Sequence, residues 1–339
     1  MDIHDTFNQH PNFTVLVPGT CNAACAFCFW NHKDGLIRPP ADYLERLHNT
    51  LLRLPKNFRA ISISGGEPTT STYLMPILEV IKEVRTVRAF DRVVMTTNGS
   101  SLPDLLAYED FPGGVVDFIN ISRHHYEDAE NRRIFRSVKI PGTNELFKII
   151  RALKIRGVPV TLNCVVNDLT TQSFIFQFMD FFTKTGAHTV SFRKEASTIE
   201  PTPVEKMMIS MFGAGESNNC PVCRVRNQNL LGHNITWKGS VTEPSVECGK
   251  TYEGVFHPDG NLYADWARKH HLKVGRVIHN KIEDLPGPAT EAAPVVYSCG
   301  GSRTGCGFPV TSSMGCGSTS GGCGSVSHKP RSQGCGGGC

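Results

Sequence analysis

Between residues 13 and 197 short runs with strand character alternate with stretches of helical spacing, and this rhythm constrains the fold more than any other feature of the chain. Phe13-Thr14-Val15-Leu16-Val17, Ala60-Ile61-Ser62-Ile63-Ser64, Arg92-Val93-Val94-Met95-Thr96, residues 116–121, 160–166 and 189–192 read as six strands. Residues 43–54, 73–84, 145–156 and 173–185 carry apolar residues at helical spacing, and the last two are followed by Gly157 and Gly186. Strands separated by helices imply parallel βαβ units. Six of them predict an α/β fold, a partial (β/α)6 TIM-like barrel, with its chemistry at the C-terminal ends of the strands.

The rhythm stops after residue 197. Residues 198–298 are expected to form a small α+β C-terminal extension, with a hairpin over residues 252–263 that turns at Pro258-Asp259-Gly260. Residues 299–339 are rich in Gly, Ser and Cys and contain no acidic residue. Such a tail cannot offset its ordering entropy by burial, so disorder is expected there. The expected division is a core at 1–197, the extension at 198–298 and the tail at 299–339.

With 339 residues, 40% hydrophobic and 19% charged, the composition is that of a globular protein. A net charge of +4 is too small to indicate nucleic acid. No stretch reads as a membrane span, and Met1-Asp2-Ile3-His4-Asp5 lacks the basic start of a secretory signal, so a cytoplasmic location is expected. There the thiols of the 13 cysteines stay reduced, and clustered cysteines point to metal or catalysis.

Three cysteines stand together in Cys21-Asn22-Ala23-Ala24-Cys25-Ala26-Phe27-Cys28, just past the first strand. Thiolates favour zinc or iron–sulfur clusters. Three local ligands leave one position open, as catalysis requires. The spacing alone also allows a zinc knuckle with a distant fourth ligand, or buried cysteines without a ligand role.

Cys-x3-Cys-x2-Cys with Phe27 before the third Cys resembles the signature of radical S-adenosylmethionine (SAM) enzymes. The resemblance covers roughly residues 13–197. Ser64-Gly65-Gly66-Glu67-Pro68 after strand two is similar to the family's Gly-Gly-Glu-Pro motif, and Thr97-Asn98-Gly99 after strand three to a common family loop. Each of these alone also reads as an ordinary turn. The resemblance implies that Cys21, Cys25 and Cys28 hold a [4Fe–4S] cluster whose fourth iron takes SAM. It implies SAM contacts at Gly65, Gly66, Glu67, Pro68, Asn98, Ser122, Arg123, Asn163 and Arg193. Glu67 is expected to meet the SAM amino group, Arg123 its carboxylate and Asn163 its ribose. An electron donor such as flavodoxin or ferredoxin is expected as a partner.

His124-His125-Tyr126 follow strand four, either facing substrate or forming a polar loop with one part-buried His. Arg193 at the end of strand six suits SAM, an anionic substrate group or a solvated rim. Cys220-Pro221-Val222-Cys223 with Cys248 can form a second metal site, or a reduced pair at a turn. This region is similar in part to auxiliary-cluster extensions of radical SAM peptide maturases. The tail resembles precursor peptides of modified natural products, and the bland alternative is a flexible tail. The function implied is reductive SAM cleavage and hydrogen abstraction from a substrate, first a peptide or protein. The alternatives are a nucleotide or cofactor precursor, or a non-catalytic metal-binding or interaction protein.

Overall fold

The computed structural model describes residues 7–28, 36–195, 203–212, 216–217, 225–230, 232–239 and 251–264, with 266, 268, 271–272, 276–278 and 281–283. The Cys220, Cys223 and Cys248 expectation and the whole tail from 299 to 339 lie outside the described residues.

The six expected strands are all present: β1 (Phe7–Val17), β2 (Ala60–Gly65), β3 (Arg92–Thr97), β4 (Phe118–Ser122), β5 (Val160–Val166) and β6 (Thr189–Lys194). Between them come α1 (Tyr43–Arg53), α2 (Leu74–Val87), the short α3 (Leu102–Leu106), α4 (Asp128–Phe135), α5 (Thr143–Ile155) and α6 (Gln172–Thr185). The ends of α6 show why helices stop where they do. Thr171 accepts the Phe174 N–H at 3.2 Å, and Gly186 closes the helix in the left-handed region at φ 75°.

Each strand from β1 to β6 pairs parallel with the next. The chain continues through α7 (Pro203–Phe212), β7 (Glu216–Ser217), β8 (Val225–Leu230), β9 (His233–Lys238), β10 (Thr251–Phe256), β11 (Leu262–Tyr263) and β12 (His271–Leu272). A separate hairpin joins β13 (Arg276–Ile278) to β14 (Lys281–Glu283). The residues expected as an appended extension add strands to both edges of the central sheet. β9 pairs parallel with β6 and β10 parallel with β1, so eight neighbouring strands run parallel. The β10–β11 hairpin forms about the expected Pro-Asp-Gly turn. Because β8 and β11 occupy the outer edges of β9 and β10, the sheet is an open, partial barrel.

Alternation along the strands separates two faces. Val15, Ile61, Ile63, Val93, Met95, Ile119, Ile121, Leu162 and Cys164 are buried in one core with Leu47 of α1, Ile77 and Ile81 of α2, Leu146 and Ile149 of α5 and Phe178 of α6. The opposite, inner face carries Ser62, Ser64, Thr96, Asn120, Ser122, Thr161 and Asn163, all partly buried. This polar side is the inside of the partial barrel, and the loops after β1, β2 and β3 open onto its C-terminal mouth. Among the described residues no helix is long and apolar enough to cross a membrane.

Candidate functional site

The loop after β1 carries Cys21, Cys25 and Cys28 as free thiols, the first two half-buried and the third exposed. Its backbone is tied down from two sides. Ala24 N–H donates to the Phe135 carbonyl at 2.8 Å, and Cys28 N–H to the Cys25 carbonyl at 3.2 Å. Ala23 packs with Phe135 and Ile140, and Cys21 and Cys25 lie against that cluster. Phe27 meets the edge of His124 at a centroid distance of 4.9 Å, and His124 in turn stacks on Phe135 at 4.7 Å. The expected polar loop at His124 is therefore a buried ring stack that braces the cysteine loop.

The other two loops close onto the same place. A Cβ on Gly66 would lie 2.9 Å from Cys21 N and 2.9 Å from Thr20 C, so only a glycine permits this approach. Gly65 holds φ +129°, and its Cβ would press on Val17 N and O at 3.0 Å. Pro68 opens a single 3₁₀ turn, Pro68–Thr70. Asn98 Nδ2 donates to Asn22 Oδ1 at 2.8 Å, Asn22 Nδ2 donates to Ser100 Oγ at 2.7 Å, and Ser100 N–H donates back to Asn98 Oδ1 at 2.9 Å. Asn22 and Ser100 were not among the expected site residues. The signal for them is only their position inside the cysteine motif and just after Asn98-Gly99.

Glu67 and Arg123 have different surroundings from those expected. The Glu67 side chain is buried. Its Oε1 accepts from Thr69 N–H at 3.0 Å, Thr69 Oγ1 at 2.6 Å and Thr97 Oγ1 at 2.5 Å, and its Oε2 accepts from Asn98 N–H at 2.6 Å. Burial raises its pKa against the lowering effect of those donors, Asn98 first. The carboxylate thus ties the β2 loop to the β3 loop, and the expected contact to the SAM amino group would share it with these internal partners. Arg123 is only 2% exposed. Its guanidinium donates to the carbonyls of His125 at 2.7 Å, Pro141 at 3.2 Å and Tyr126 at 3.0 Å, and pairs with Asp128 at 2.6 Å. It lies over the Phe181 ring at 5.0 Å. A guanidinium so enclosed is committed to the surrounding backbone and Asp128, which weighs against the expected pairing with the SAM carboxylate.

Ser122 and Asn163 sit side by side in register on the inner face, at the C-terminal half of β4 and β5. Arg193 is exposed near the end of β6. All three are on the same side of the sheet.

The cysteines suit a cationic centre. Burial pushes the Cys21 thiol up to about 11, and burial followed by the charges of Cys28 and Cys21 pushes Cys25 up to about 12. Half-buried thiols that repel one another as thiolates are stabilised in that form by bound metal. Three thiolates on one tetrahedral ion sit roughly 3.8 Å apart, while a cluster takes one thiolate per iron and a wider triangle. The donor set of three sulfurs fits a [4Fe–4S] cluster with one iron left for another ligand.

The chain is similar to several known proteins. The family model described as the Radical SAM superfamily matches residues 15–174. A probable GTP 3′,8-cyclase of Saccharolobus islandicus (strain L.S.2.15 / Lassen #1) is 30% identical over 184 residues, covering 52% of this chain and 54% of that protein. A probable GTP 3′,8-cyclase of Sulfolobus acidocaldarius is 26% identical over 262 residues, 73% of this chain and 72% of that protein. The chain thus spans about half the length of the Saccharolobus relatives it matches. Among solved structures, Streptococcus suis SuiB aligns with a TM-score of 0.48 at 15% identity, over 76% of this chain and 61% of that one. Residues 15–174 form a domain of the radical SAM superfamily, whose members use a [4Fe–4S] cluster and SAM.

Proposed function

We propose that this chain cleaves SAM reductively and directs the resulting 5′-deoxyadenosyl radical at a C–H bond of a polar substrate inside the partial barrel. The observation that carries this reading is the convergence of three loops. Gly66 approaches Cys21 as closely as a glycine can, and Asn98 is bonded to Asn22 within the cysteine motif. Cys21, Cys25 and Cys28 would hold the cluster. Bound there, the cluster supplies the single electron that splits SAM into methionine and the 5′-deoxyadenosyl radical.

The chain's own residues hold and enclose the cofactor. Gly65 and Gly66 let the backbone come close to the SAM amino acid end, and Ser122 and Asn163 offer a hydroxyl and an amide to its ribose. Glu67 acts one step back, by fixing the two loops that form this wall. An electron donor of the flavodoxin or ferredoxin class completes the partner set.

For the substrate, a nucleotide or cofactor precursor is favoured over a peptide. The inner face is lined by hydroxyl and amide side chains suited to a small polar molecule, and the curated relatives named above are probable GTP 3′,8-cyclases. A peptide substrate rests on the part likeness of residues 198–298 to the extensions of peptide maturases and on the Gly/Ser/Cys-rich sequence after residue 298.

The test is anaerobic reconstitution of the full chain and of a variant with Cys21, Cys25 and Cys28 all replaced by Ala. The wild type should show a visible iron–sulfur absorption band that responds to SAM, and should release 5′-deoxyadenosine under reduction. The variant should lose both. Release of 5′-deoxyadenosine by the triple variant would overturn the assignment. Faster release with GTP than with a synthetic peptide of residues 299–339 would support the nucleotide reading, and the reverse ranking would refute it.

A further inference from the structure

We infer that the loop joining α4 to α5 is the docking site for a small acidic electron-carrier protein, with Arg136 and Lys139 as its charged contacts and Val138 as its apolar one. This rests on the SAM-cleaving reading above, in which the carrier loses one electron and the cluster held by Cys21, Cys25 and Cys28 gains it.

The loop has two sides with different tasks. Phe135 and Ile140 are buried and pack with Ala23, in the cluster that Cys21 and Cys25 lie against. The Phe135 carbonyl accepts the Ala24 N–H at 2.8 Å, so the end of α4 is bonded to the middle of the cysteine motif. Between Phe135 and Ile140 the chain turns out to solvent. Arg136, Val138 and Lys139 are exposed, Val138 at 86%. Ser137 holds the turn. Its N–H donates to the Arg132 carbonyl at 3.2 Å, and its Oγ accepts the Lys139 N–H at 3.3 Å. Cys28 is itself exposed, so the centre that the cysteines hold lies close to the protein surface.

The charge of the loop is one-sided. Residues 132–139 include Arg132, Arg133, Arg136 and Lys139 and no acidic residue. Arg133 pairs with Glu130 at 2.7 Å, whereas no carboxylate among the described residues forms an ion pair with Arg136 or Lys139. Burial and the neighbouring thiolates raise the Cys25 thiol, and the Arg136 charge is among the influences that lower it, which puts the guanidinium within electrostatic reach of that sulfur. A positive surface beside the electron's destination draws an acidic carrier and orients it towards the cysteines.

Arg136 also occupies a backbone position that does not suit it. As the residue closing α4 it holds φ 51° and ψ 41°, the left-handed conformation in which helices usually end on Gly. A cation favours the C-terminal end of a helix, but Arg132 and Arg133 in the last turn already supply that charge. A long cationic side chain kept in a strained position points to a use for the side chain. Val138 stands between two cations and takes no part in the core, and an apolar centre within a charged rim is the make-up of a protein contact site.

Binding of flavodoxin and of a [2Fe–2S] ferredoxin to the reconstituted, SAM-loaded full chain tests this. The wild type should bind at least one of the two carriers, and the affinity should fall as salt is raised. Lys139→Glu and Arg136→Gly should each weaken binding about tenfold. Glycine suits the left-handed backbone, so Arg136→Gly should keep or raise the Tm while carrier binding falls, a split that a merely structural arginine would not produce. In Lys139→Glu, 5′-deoxyadenosine release driven by the reduced carrier should fall with binding. Release driven by dithionite, which needs no docking site, should stay at the wild-type level, as should SAM affinity. Binding of neither carrier by the wild type, wild-type carrier affinity in both variants, or an equal loss of dithionite-driven release in Lys139→Glu would each overturn the inference. Weaker GTP binding in place of weaker carrier binding would assign the loop to an anionic substrate and also overturn it. The dithionite arm separates the SAM-cleaving reading. If the wild type releases no 5′-deoxyadenosine with dithionite, that reading falls even where Lys139 governs carrier binding. If it does release it and both variants bind the carriers as the wild type does, the reading stands and the docking site falls.

Discussion

Glu67 Oε2 accepts the backbone N–H of Asn98 at 2.6 Å, and through that bond the loop after β2 holds the loop after β3. Replacing Glu67 with Ala strands the Asn98 and Thr69 amides and two threonine hydroxyls. Hydrogen bonds to a charged group contribute about 1.5–3 kcal/mol each, and they are not additive within one carboxylate. We expect Glu67→Ala to destabilise the fold by about 3 kcal/mol and to weaken SAM binding as a result. Urea unfolding and SAM titration on the same preparations check this. Weakened SAM binding at unchanged stability would instead indicate a direct ligand contact.

His124 makes stability depend on pH. Its Nδ1 accepts the Val165 N–H at 3.1 Å, and burial, followed by the Arg123 charge, pushes its pKa down to about 3. The folded protein therefore keeps His124 neutral, while the unfolded chain protonates it near 6.5. The depressed value means that its contribution is fully present above pH 6.5 and is lost as pH falls from 6.5 towards 3. Between pH 7 and pH 5 the loss should be about 2 kcal/mol. His124→Phe keeps a ring between Phe27 and Phe135 but cannot titrate. It should flatten that part of the pH profile while lowering stability at pH 7. An unchanged slope would show that other groups set the acid sensitivity.

Gly66→Ala tests the close approach of the Gly-Gly loop to the cysteine loop. The added methyl would meet the backbone of Thr20 and Cys21 at 2.9 Å, and backbone cannot swing aside as a flexible side chain can. Overpacking of this kind costs about 1–3 kcal/mol and here falls on the segment that presents Cys21. Iron content per chain and 5′-deoxyadenosine release should both drop, the latter about tenfold or more. Wild-type values for both would show that the loop adapts at no functional cost.

The parts legible in the sequence were those set by local pattern. Buried parallel strands announce themselves as apolar or alternating runs, so β5 matches the expected residues 160–166 end to end. The loops after β1, β2 and β3 then fall at one mouth because parallel strands all point the same way. The surroundings of Arg123 were not legible, for a physical reason. An arginine at a strand end looks ready for a ligand, and the groups that enclose it are assembled only in three dimensions, from Asp128, Pro141 and Phe181. β1 begins at Phe7, six residues before the expected start, because Asn8-Gln9-His10-Pro11 lacks strand character. The pairing of β9 and β10 with the edges of the sheet was also hidden, since among the described residues neither strand follows directly on a helix and β8 stands between α7 and β9.

That last pairing has a consequence for the order of assembly. Thr14 Oγ1 donates to Glu253 Oε1 at 2.6 Å across 239 residues of sequence. β1 is synthesised well before its β10 partner. Until then β1 can pair only with β2, and its other edge stays open to wrong partners. Contacts this distant in sequence form slowly. The loop bearing Cys21, Cys25 and Cys28 thus hangs from a strand that is fixed on one side only until β10 is made. Completion of the sheet at β10 is the step that holds this loop's root in place.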